Sequence, residues 1–474
     1  MAEQPAPIDM ASSAVPLVRV VVLNFDGGQL TIDCLDSLLA SDWPTDRIEI
    51  VLVDNGSLDD VLERLDADAR YSKIRVLEPL ANLGFAGGCN LGMALTGDHD
   101  YVALVNNDAT VDAGWLRSMV TAIELSDDIG AVAAKMLFAH RYHGIEFDVP
   151  DASHIVTGEH RLLGVRVTAV RLDGEPVDDR LAFDEGFHGA EPPVAADDEE
   201  MARWSSATGA LRIAADPDAA LPPLTISVRL SCLEQRVVTL RSASTVGSGD
   251  DVTVTVHREP VWVDVPIPPE PFDVVNNVGS NLFAGGYGGD RGFLEIDTGQ
   301  YEEPAEVFAW CGGAVLLRRS YIDDVGLFDE RFFMYYEDTD LSWHGRLRGW
   351  RYVYEPGAVV RHHHAQSSGA GSPFFRYQTE RNRLLVLAKN APWRLAWRSG
   401  LGEMRRFVGS VVRHYVIRPL TLRLPVRAEV AHRWRVCRSY LALLPAMLRD
   451  RWRTRPVQSR NELMDWEVVK WPTV

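Results

Sequence analysis

Four apolar runs occupy the first 110 residues: VRVVVLNF (18–25), IEIVLVDNGS (48–57), KIRVLEP (73–79) and YVALVNNDA (101–109). Between them lie TIDCLDSLLAS, DDVLERLDADA and NLGMAL, whose apolar positions recur at helical spacing. Unbroken Val/Ile/Leu runs separated by helices read as strands of a doubly wound parallel sheet, covered on both faces. Each run ends in polar or turn residues: Asn24-Phe25-Asp26-Gly27, Asp54-Asn55-Gly56-Ser57, Glu78-Pro79 and Asn106-Asn107-Asp108. Ligands of open α/β sheets bind in the crevice at the carboxyl ends of the strands, so these groups are expected to gather there.

Near residue 145 the period changes. Between 149 and 271, Pro-rich and acidic clusters separate runs that alternate with period two, such as LTISVRLSCL, RVVTLRS, DVTVTVHR and PVWVDVPI. Leu224, Ile226, Val228, Leu230 and Cys232 share one face, as do Val252, Val254 and Val256, which predicts an antiparallel sandwich inserted into the α/β domain. From 272 the chain returns to Gly-rich segments and apolar runs, and after 373 helix-like stretches predominate. The expected organisation is therefore an α/β half (1–148), a β-rich insertion (149–271), a second α/β half (272–372) and a helical C-terminal region (373–474).

Composition adds a division that the pattern does not show. The net charge is −19, yet residues 373–474 hold 21 Lys and Arg against 7 Asp and Glu, leaving 27 against 60 for residues 1–372. An acidic body argues against nucleic-acid binding, whereas a basic, Trp- and Leu-rich tail suits either an anionic membrane surface or docking on the acidic body. The N-terminal MAEQPAPIDMASSAVPL lacks the basic start and apolar run of a signal peptide, and no stretch reaches the roughly 18 apolar residues of a spanning helix, so the expected location is cytoplasmic. Five scattered cysteines without CxxC spacing indicate neither a disulfide framework nor a zinc site.

Several groups at these positions could do chemistry. Asp54 could accept from a nucleotide, or simply close an Asx turn. The glycines of NLGFAGGCN, Gly84, Gly87 and Gly88, would let backbone approach a phosphate or sugar. Asp108, just past a strand end, suits a hard divalent cation that takes further oxygens from a diphosphate. One of His362, His363 and His364 could join it, although three adjacent side chains cannot face one site. In FFMYYEDTDLSWHGRLRGW (332–350), Glu337, Asp338 and Asp340 follow five apolar or aromatic residues. A helix N-terminus favours such carboxylates by about 0.3 to 1 kcal/mol each, which accounts for one as a cap but not for three. A carboxylate held there could take a proton from a bound hydroxyl.

VVVLNFDGG, EIVLVDNGS, NLGFAGGCNLG, YVALVNNDA, CGGAVLLRRS, GLFDERFFMYYEDTDLSWHGRLRGW and VVRHHHAQSSG occur in the order found in family two of the inverting glycosyltransferases, over residues 18–140 and 272–390. The chain resembles that family, most closely its bacterial rhamnosyltransferase-like branch. The resemblance implies a GT-A (nucleotide-diphospho-sugar transferase) fold and a metal-dependent transfer from dTDP-rhamnose or a UDP-sugar to a glycan or lipid-linked acceptor, in cell-envelope polysaccharide synthesis. It makes Asn24, Asp54, Asn82, Gly84 and Asn106 to Asp108 donor contacts, with Asn106–Asp108 the counterpart of the DxD motif. Asp108 and His362 would hold Mg²⁺ or Mn²⁺. Asp338 would be the general base with Glu337 beside it and Asp340 capping the helix, and Trp310, Cys311, Gly312 and Gly313 would shape the acceptor pocket. The sequence departs from the pattern at Asn106, the first DxD position, and at His344, where relatives often have Arg.

Two other classes remain open on sequence alone. A nicotinamide-dependent enzyme could use a strand-end acid such as Asp54, but NFDGG and not GxGxxG follows the first strand. A non-catalytic carbohydrate-binding protein built on the insertion would carry a decayed transferase domain, against which the intact Asp108 and Asp338 argue.

Overall fold

The computed structural model describes residues 15–153, 161–177, 180–183, 186–189, 191, 202–216, 224–245, 251–363, 372–421 and 424–468. The chain divides into two compact units: residues 1–139, 277–292 and 301–471 form one, and residues 140–276, 293–300 and 472–474 the other.

In the first unit the predicted apolar runs become adjacent strands. Val18–Asn24 lies between Ile48–Asp54 and Tyr101–Asn106, parallel to both, with Arg75–Leu77 parallel at the edge. The register sets Asn24 opposite Asp54 and Leu23 opposite Asn106, so the polar strand ends meet at one rim. The sheet is mixed beyond that point. Ala314–Arg318 runs antiparallel between Tyr101–Asn106 and Ile129–Phe138, and Arg351–His362 pairs parallel with Ile129–Phe138. Short strand Ala109–Val111 pairs with the end of Arg351–His362, which brings His362 opposite Ala109.

Val18, Val20, Val22, Leu52, Ala103 and Val105 are buried on one face beneath the helix Gln29–Leu39. On the other face the helix Gly84–Met93 comes so close that a Cβ at Gly88 or Gly92 would lie 2.3 Å from Leu23 Cδ1 or 2.5 Å from Val21 Cγ1. The glycines of this segment serve packing. Gly88 is needed for helix-on-strand packing, and Gly84, at φ +70°, would clash with the Phe333 carbonyl if it carried a Cβ.

The second unit is the predicted antiparallel insertion. One sheet has the order Leu181–Phe183, Thr208–Ala214, Tyr142–Asp148, Arg236–Ala243, Val252–Val256, and the other Arg203–Trp204, Arg166–Leu172, Leu224–Ser231, Val261–Ile267. Ile145, Phe147, Leu211 and Leu240 of one sheet share a core with Val167, Ile226, Val228 and Val265 of the other. The insertion starts at His140, not at residue 149, because Tyr142–Asp148 pairs on both sides within this unit. Its amphipathic sequence, YHGIEFD, lacks the clean alternation that marks the later strands.

The C-terminal region of the first unit is helical as expected: Pro373–Asn390, Trp393–Val412 and Arg427–Arg453. Leu384, Leu385, Leu387, Val436, Tyr440 and Met447 form one core with Phe332, Trp343 and Leu347. Among the described residues no helix is long and apolar enough to cross a membrane.

Candidate active site

The strand-end rim holds a nearly closed network. Asp54 Oδ1 accepts from the Ser57 amide (3.3 Å), three residues on, the Ser57 hydroxyl and Asn24 Nδ2 (3.4 Å), so its side chain closes the loop that follows the strand. Asn24 Oδ1 in turn accepts from Thr31 Oγ1 (2.7 Å), Asn107 Nδ2 (3.1 Å) and the Gly27 amide (3.2 Å). Asn55 and Asn82 fix the next loop: Asn55 Nδ2 donates to Asn82 Oδ1 (3.0 Å) and to the Gly84 carbonyl (3.2 Å), and Asn82 Oδ1 also accepts from the Gly84 amide (2.8 Å). Both backbone groups of Gly84 are thus engaged within the protein. Gly84 is also buried, so it offers no free amide to a ligand.

Asp108 and His362 meet across two strands that are distant in sequence. His362 Nε2 lies 3.0 Å from Asp108 Oδ1 and 3.2 Å from Asn106 Nδ2, and the His363 amide donates to the Asp108 carbonyl (3.0 Å). Burial pushes the Asp108 carboxyl up, but the His362 hydrogen bond and charge more than offset it, leaving the group below its usual range. No cluster of three or more His, Cys, Asp and Glu suited to a metal occurs among the described residues. The donors present, one carboxylate and one imidazole with an amide beside them, fit a divalent cation that draws its remaining oxygens from a bound diphosphate. His364 lies outside the described residues.

The second cluster starts the helix Glu337–Arg348. Phe333, Tyr335 and Tyr336 precede it with φ of 65°, 68° and 70°, a region that non-glycine residues enter at roughly 1 to 3 kcal/mol each. The helix Pro373–Asn390 holds them there. Asn382 Nδ2 donates to the carbonyls of Phe332 (3.0 Å), Met334 (2.8 Å) and Tyr335 (2.6 Å), and Arg381 donates to Phe332 O (2.8 Å).

The three carboxylates of that stretch have different surroundings. Asp338 Oδ2 accepts from the Gly312 amide (3.3 Å) and Oδ1 from the Thr339 amide (2.6 Å); burial raises its carboxyl above the usual range although these donors oppose it. Glu337 is buried, its Oε2 has no partner among the described residues, and burial followed by the Asp338 charge drives it well above its ordinary value. Asp340 is not the helix cap. It is buried, ion-paired with Lys389 (2.5 Å) and bonded to Asn390 Nδ2 (2.7 Å), one turn inside the helix. Helical spacing turns it toward the helix Pro373–Asn390, away from Asp338.

Residues 311–313 join the two clusters. The Gly312 amide reaches Asp338 while the Gly313 carbonyl accepts from the Asn106 amide (2.9 Å). Cys311 is partly exposed, its thiol raised by burial and by the charges of Asp290, Asp338 and Glu337. Trp310 differs from expectation: its side chain is fully enclosed, 6.0 Å from the Phe328 ring, so it supports the floor and cannot line a pocket.

Asp290 was not singled out by sequence. It ends the strand Tyr287–Asp290, pairs across the hairpin with Ser280, and accepts from Asn277 Nδ2 (2.5 Å). Burial raises its carboxyl to about 6, with Asp338 adding to the rise and His362 opposing it, which places it in the field of both clusters. The only signal for it was a lone acid in NLFAGGYGGDRGF; the hairpin that brings Asn277 to it is not visible as a pattern.

Residues 19–141 match the family Glycosyl transferase family 2. Over 119 residues the chain is 37% identical to N-acetylglucosaminyl-diphospho-decaprenol L-rhamnosyltransferase of Mycobacterium tuberculosis, covering 24% of this chain and 38% of that protein. Over 112 residues it is 28% identical to glycosyltransferase GlyG of Streptococcus pneumoniae serotype 4, covering 23% and 36%. The matched segment is thus well under half of these relatives' own length. Among solved structures, GalNAc-T7 with UDP, GalNAc and Mn²⁺ superposes over 79% of this chain and 48% of its own at a TM-score of 0.43 and 11% identity. The mannosyltransferase PcManGT of Pyrobaculum calidifontis, in complex with GDP-Man and Mn²⁺, covers 91% and 87% at 0.38 and 11%. Similarity of that degree assigns no ligand. Residues 19–141, which supply the parallel strands and their polar ends, are thus similar to glycosyl transferase family 2, and they lie in a mixed α/β sheet.

Proposed function

We propose that the protein is an inverting glycosyltransferase that moves a sugar from a nucleoside-diphosphate sugar to a glycan or lipid-linked acceptor. One observation carries the reading. Cys311–Gly313 tie the Asn106–Asp108–His362 group to Asp338, so a donor-diphosphate site and a proton acceptor share one turn of chain. In this reading Asn24, Asp54, Asn82 and Asn107 shape the nucleotide side of the rim. Asp108 and His362 would hold a divalent cation, whose charge, when bound, supports the diphosphate leaving group.

Asp338 takes the acceptor hydroxyl proton as that oxygen bonds to the anomeric carbon and the bond to the diphosphate breaks on the opposite side, a single displacement that inverts the centre. Glu337, whose carboxyl is pushed up by burial and by the Asp338 charge, lies beside that base and would orient the acceptor. The name of the 37%-identical relative supports an L-rhamnosyl donor and a polyprenyl-diphosphate sugar as the first acceptor to try; we take dTDP-rhamnose as the first such donor and envelope polysaccharide synthesis as the setting. The test is a panel of dTDP- and UDP-sugars with Mn²⁺ or Mg²⁺, read by nucleotide release and by the anomeric configuration of the product. Donor-dependent product of inverted configuration is expected; sugar binding with no turnover on the whole panel would instead favour a carbohydrate-binding protein.

A further inference from the structure

The helix Trp393–Val412 buries Ala396, Gly400 and Glu403, with Gly400 against Tyr440 and Phe407 beside Trp434 of the helix Arg427–Arg453. Its outer side is not polar, as that of a surface helix normally is. Trp393, Trp397, Leu401, Val408 and Val412 are each 42% to 60% exposed. Steps of four, four, seven and four residues place them on one face at 3.6 residues per turn. Past the wider turn Arg413–Ile417, the apolar exposure deepens. Tyr415, Val416 and Ile417 are about half exposed, Leu420 is 80% exposed and Leu424 85%.

The charge around this face has one sign. Arg394, Arg398, Arg405, Arg413 and Arg427 are exposed and make no ion pair among the described residues. The single acid between 393 and 427 is Glu403, which is buried and paired with Arg406 and Arg433. A contiguous apolar patch of this kind marks an interaction site, and the arginines decide which. Two copies meeting by a two-fold axis would set this face against itself and bring like charges together. A surface that accepts both apolar side chains and a row of unpaired arginines is an anionic bilayer interface.

We propose that this face seats in the headgroup region of an anionic membrane, with Ile417, Leu420 and Leu424 reaching deepest. The inference rests on the lipid-linked acceptor of the proposed function only for its purpose, not for its geometry. The experiment is sedimentation of the full chain with vesicles of phosphatidylcholine and phosphatidylglycerol, roughly two to one, or of phosphatidylcholine alone, with sugar-nucleotide turnover on a soluble acceptor measured in parallel.

Binding to the anionic vesicles is expected, at least tenfold stronger than to the neutral ones and weakened by salt. Leu420→Asp/Leu424→Asp should abolish it and Arg398→Ala/Arg405→Ala should weaken it by about tenfold or more, at about 1 kcal/mol for each arginine. All four side chains are exposed, so the fold should survive, as an unchanged unfolding temperature would show. Equal sedimentation of the double-Asp variant and the parent, no sedimentation of the parent, or a dimer that the double-Asp variant dissociates would each overturn the proposal. Turnover retained without vesicle binding would defeat the membrane face and leave the transferase reading standing; vesicle binding without turnover would do the reverse.

Discussion

The strand-end rim and the start of the helix Glu337–Arg348 are both rich in polar groups, but they are built on opposite terms. At the rim nearly every polar atom has a partner from its own neighbourhood: Asp54 has Ser57 and Asn24, Asn24 has Thr31 and Asn107, Asn82 has Asn55 and Gly84. At the helix start the backbone is held in left-handed conformations, one carboxylate oxygen is left unpaired, and two adjacent carboxyls rise together through burial. A satisfied network sets a shape for a ligand to meet. A carboxylate that the protein itself stabilises poorly is ready to take up a proton.

The widest break between the two regions comes from Asp338→Asn. It is nearly isosteric and keeps the acceptor atom for Gly312 or Thr339, but cannot take the proton, so kcat should fall by about 10²- to 10⁴-fold with donor affinity held. Steady-state kinetics beside calorimetric donor titration would show it, and near-normal turnover would remove Asp338 from the mechanism.

Next in size is Lys389→Met, which takes from the buried Asp340 its only cationic partner among the described residues, whereas Asp329, 3.2 Å from the same ammonium, keeps Arg331. Removing one partner of such a group is expected to destabilise the first unit by about 3 to 5 kcal/mol in urea unfolding. Asp340→Asn should lose less, because Lys389 keeps Asp329. The same measurement separates ion pair from helix cap: a cap would be nearly indifferent to Asp→Asn and to Lys389.

Asp290→Asn sharpens the electrostatic side of the contrast. The folded carboxyl titrates at about 6 against a usual 3.8, so the native state binds more protons than the unfolded state between those values, and stability falls as pH rises through that window. The substitution should abolish that fall and raise stability at neutral pH, by at most roughly 3 kcal/mol. Unfolding curves at pH 5 and pH 7.5 that shift in parallel for both proteins would deny the assignment.

Asp54→Asn should have the smallest effect. An Asn oxygen can accept from the same Ser57 amide, so stability should change by less than about 1 kcal/mol, with a rise in donor KM and little change in kcat. A kcat loss like that of Asp338→Asn would erase the distinction between rim and helix start.

Much of this was legible along the chain. Unbroken apolar runs ending in Asn24, Asp54 and Asn106 predicted a sheet with a polar rim, because strands buried on both faces leave their polar groups only at the ends. The alternation of residues 224–232 predicted the inserted sandwich for the complementary reason, one buried face per strand. These are local consequences of side-chain period. Other features depended on residues far apart in sequence. The glycines at 84 and 88 carry a packing role that their spacing does not reveal, set by Phe333 and Leu23; Trp310 read as a pocket wall and its side chain is enclosed. Asp340 read as a cap and is an ion pair, because only the docking of the helix Pro373–Asn390 supplies Lys389. Asp290 drew no notice, because its partner comes from across a hairpin.

The sequence by itself determined the α/β class, the sandwich, the rim and the acidic helix start, since period and turn chemistry act between near neighbours. Tertiary structure alone decided which carboxylate is paired, which is strained and which faces the turn at Cys311–Gly313, since burial and charge depend on what distant segments bring to the same few ångströms.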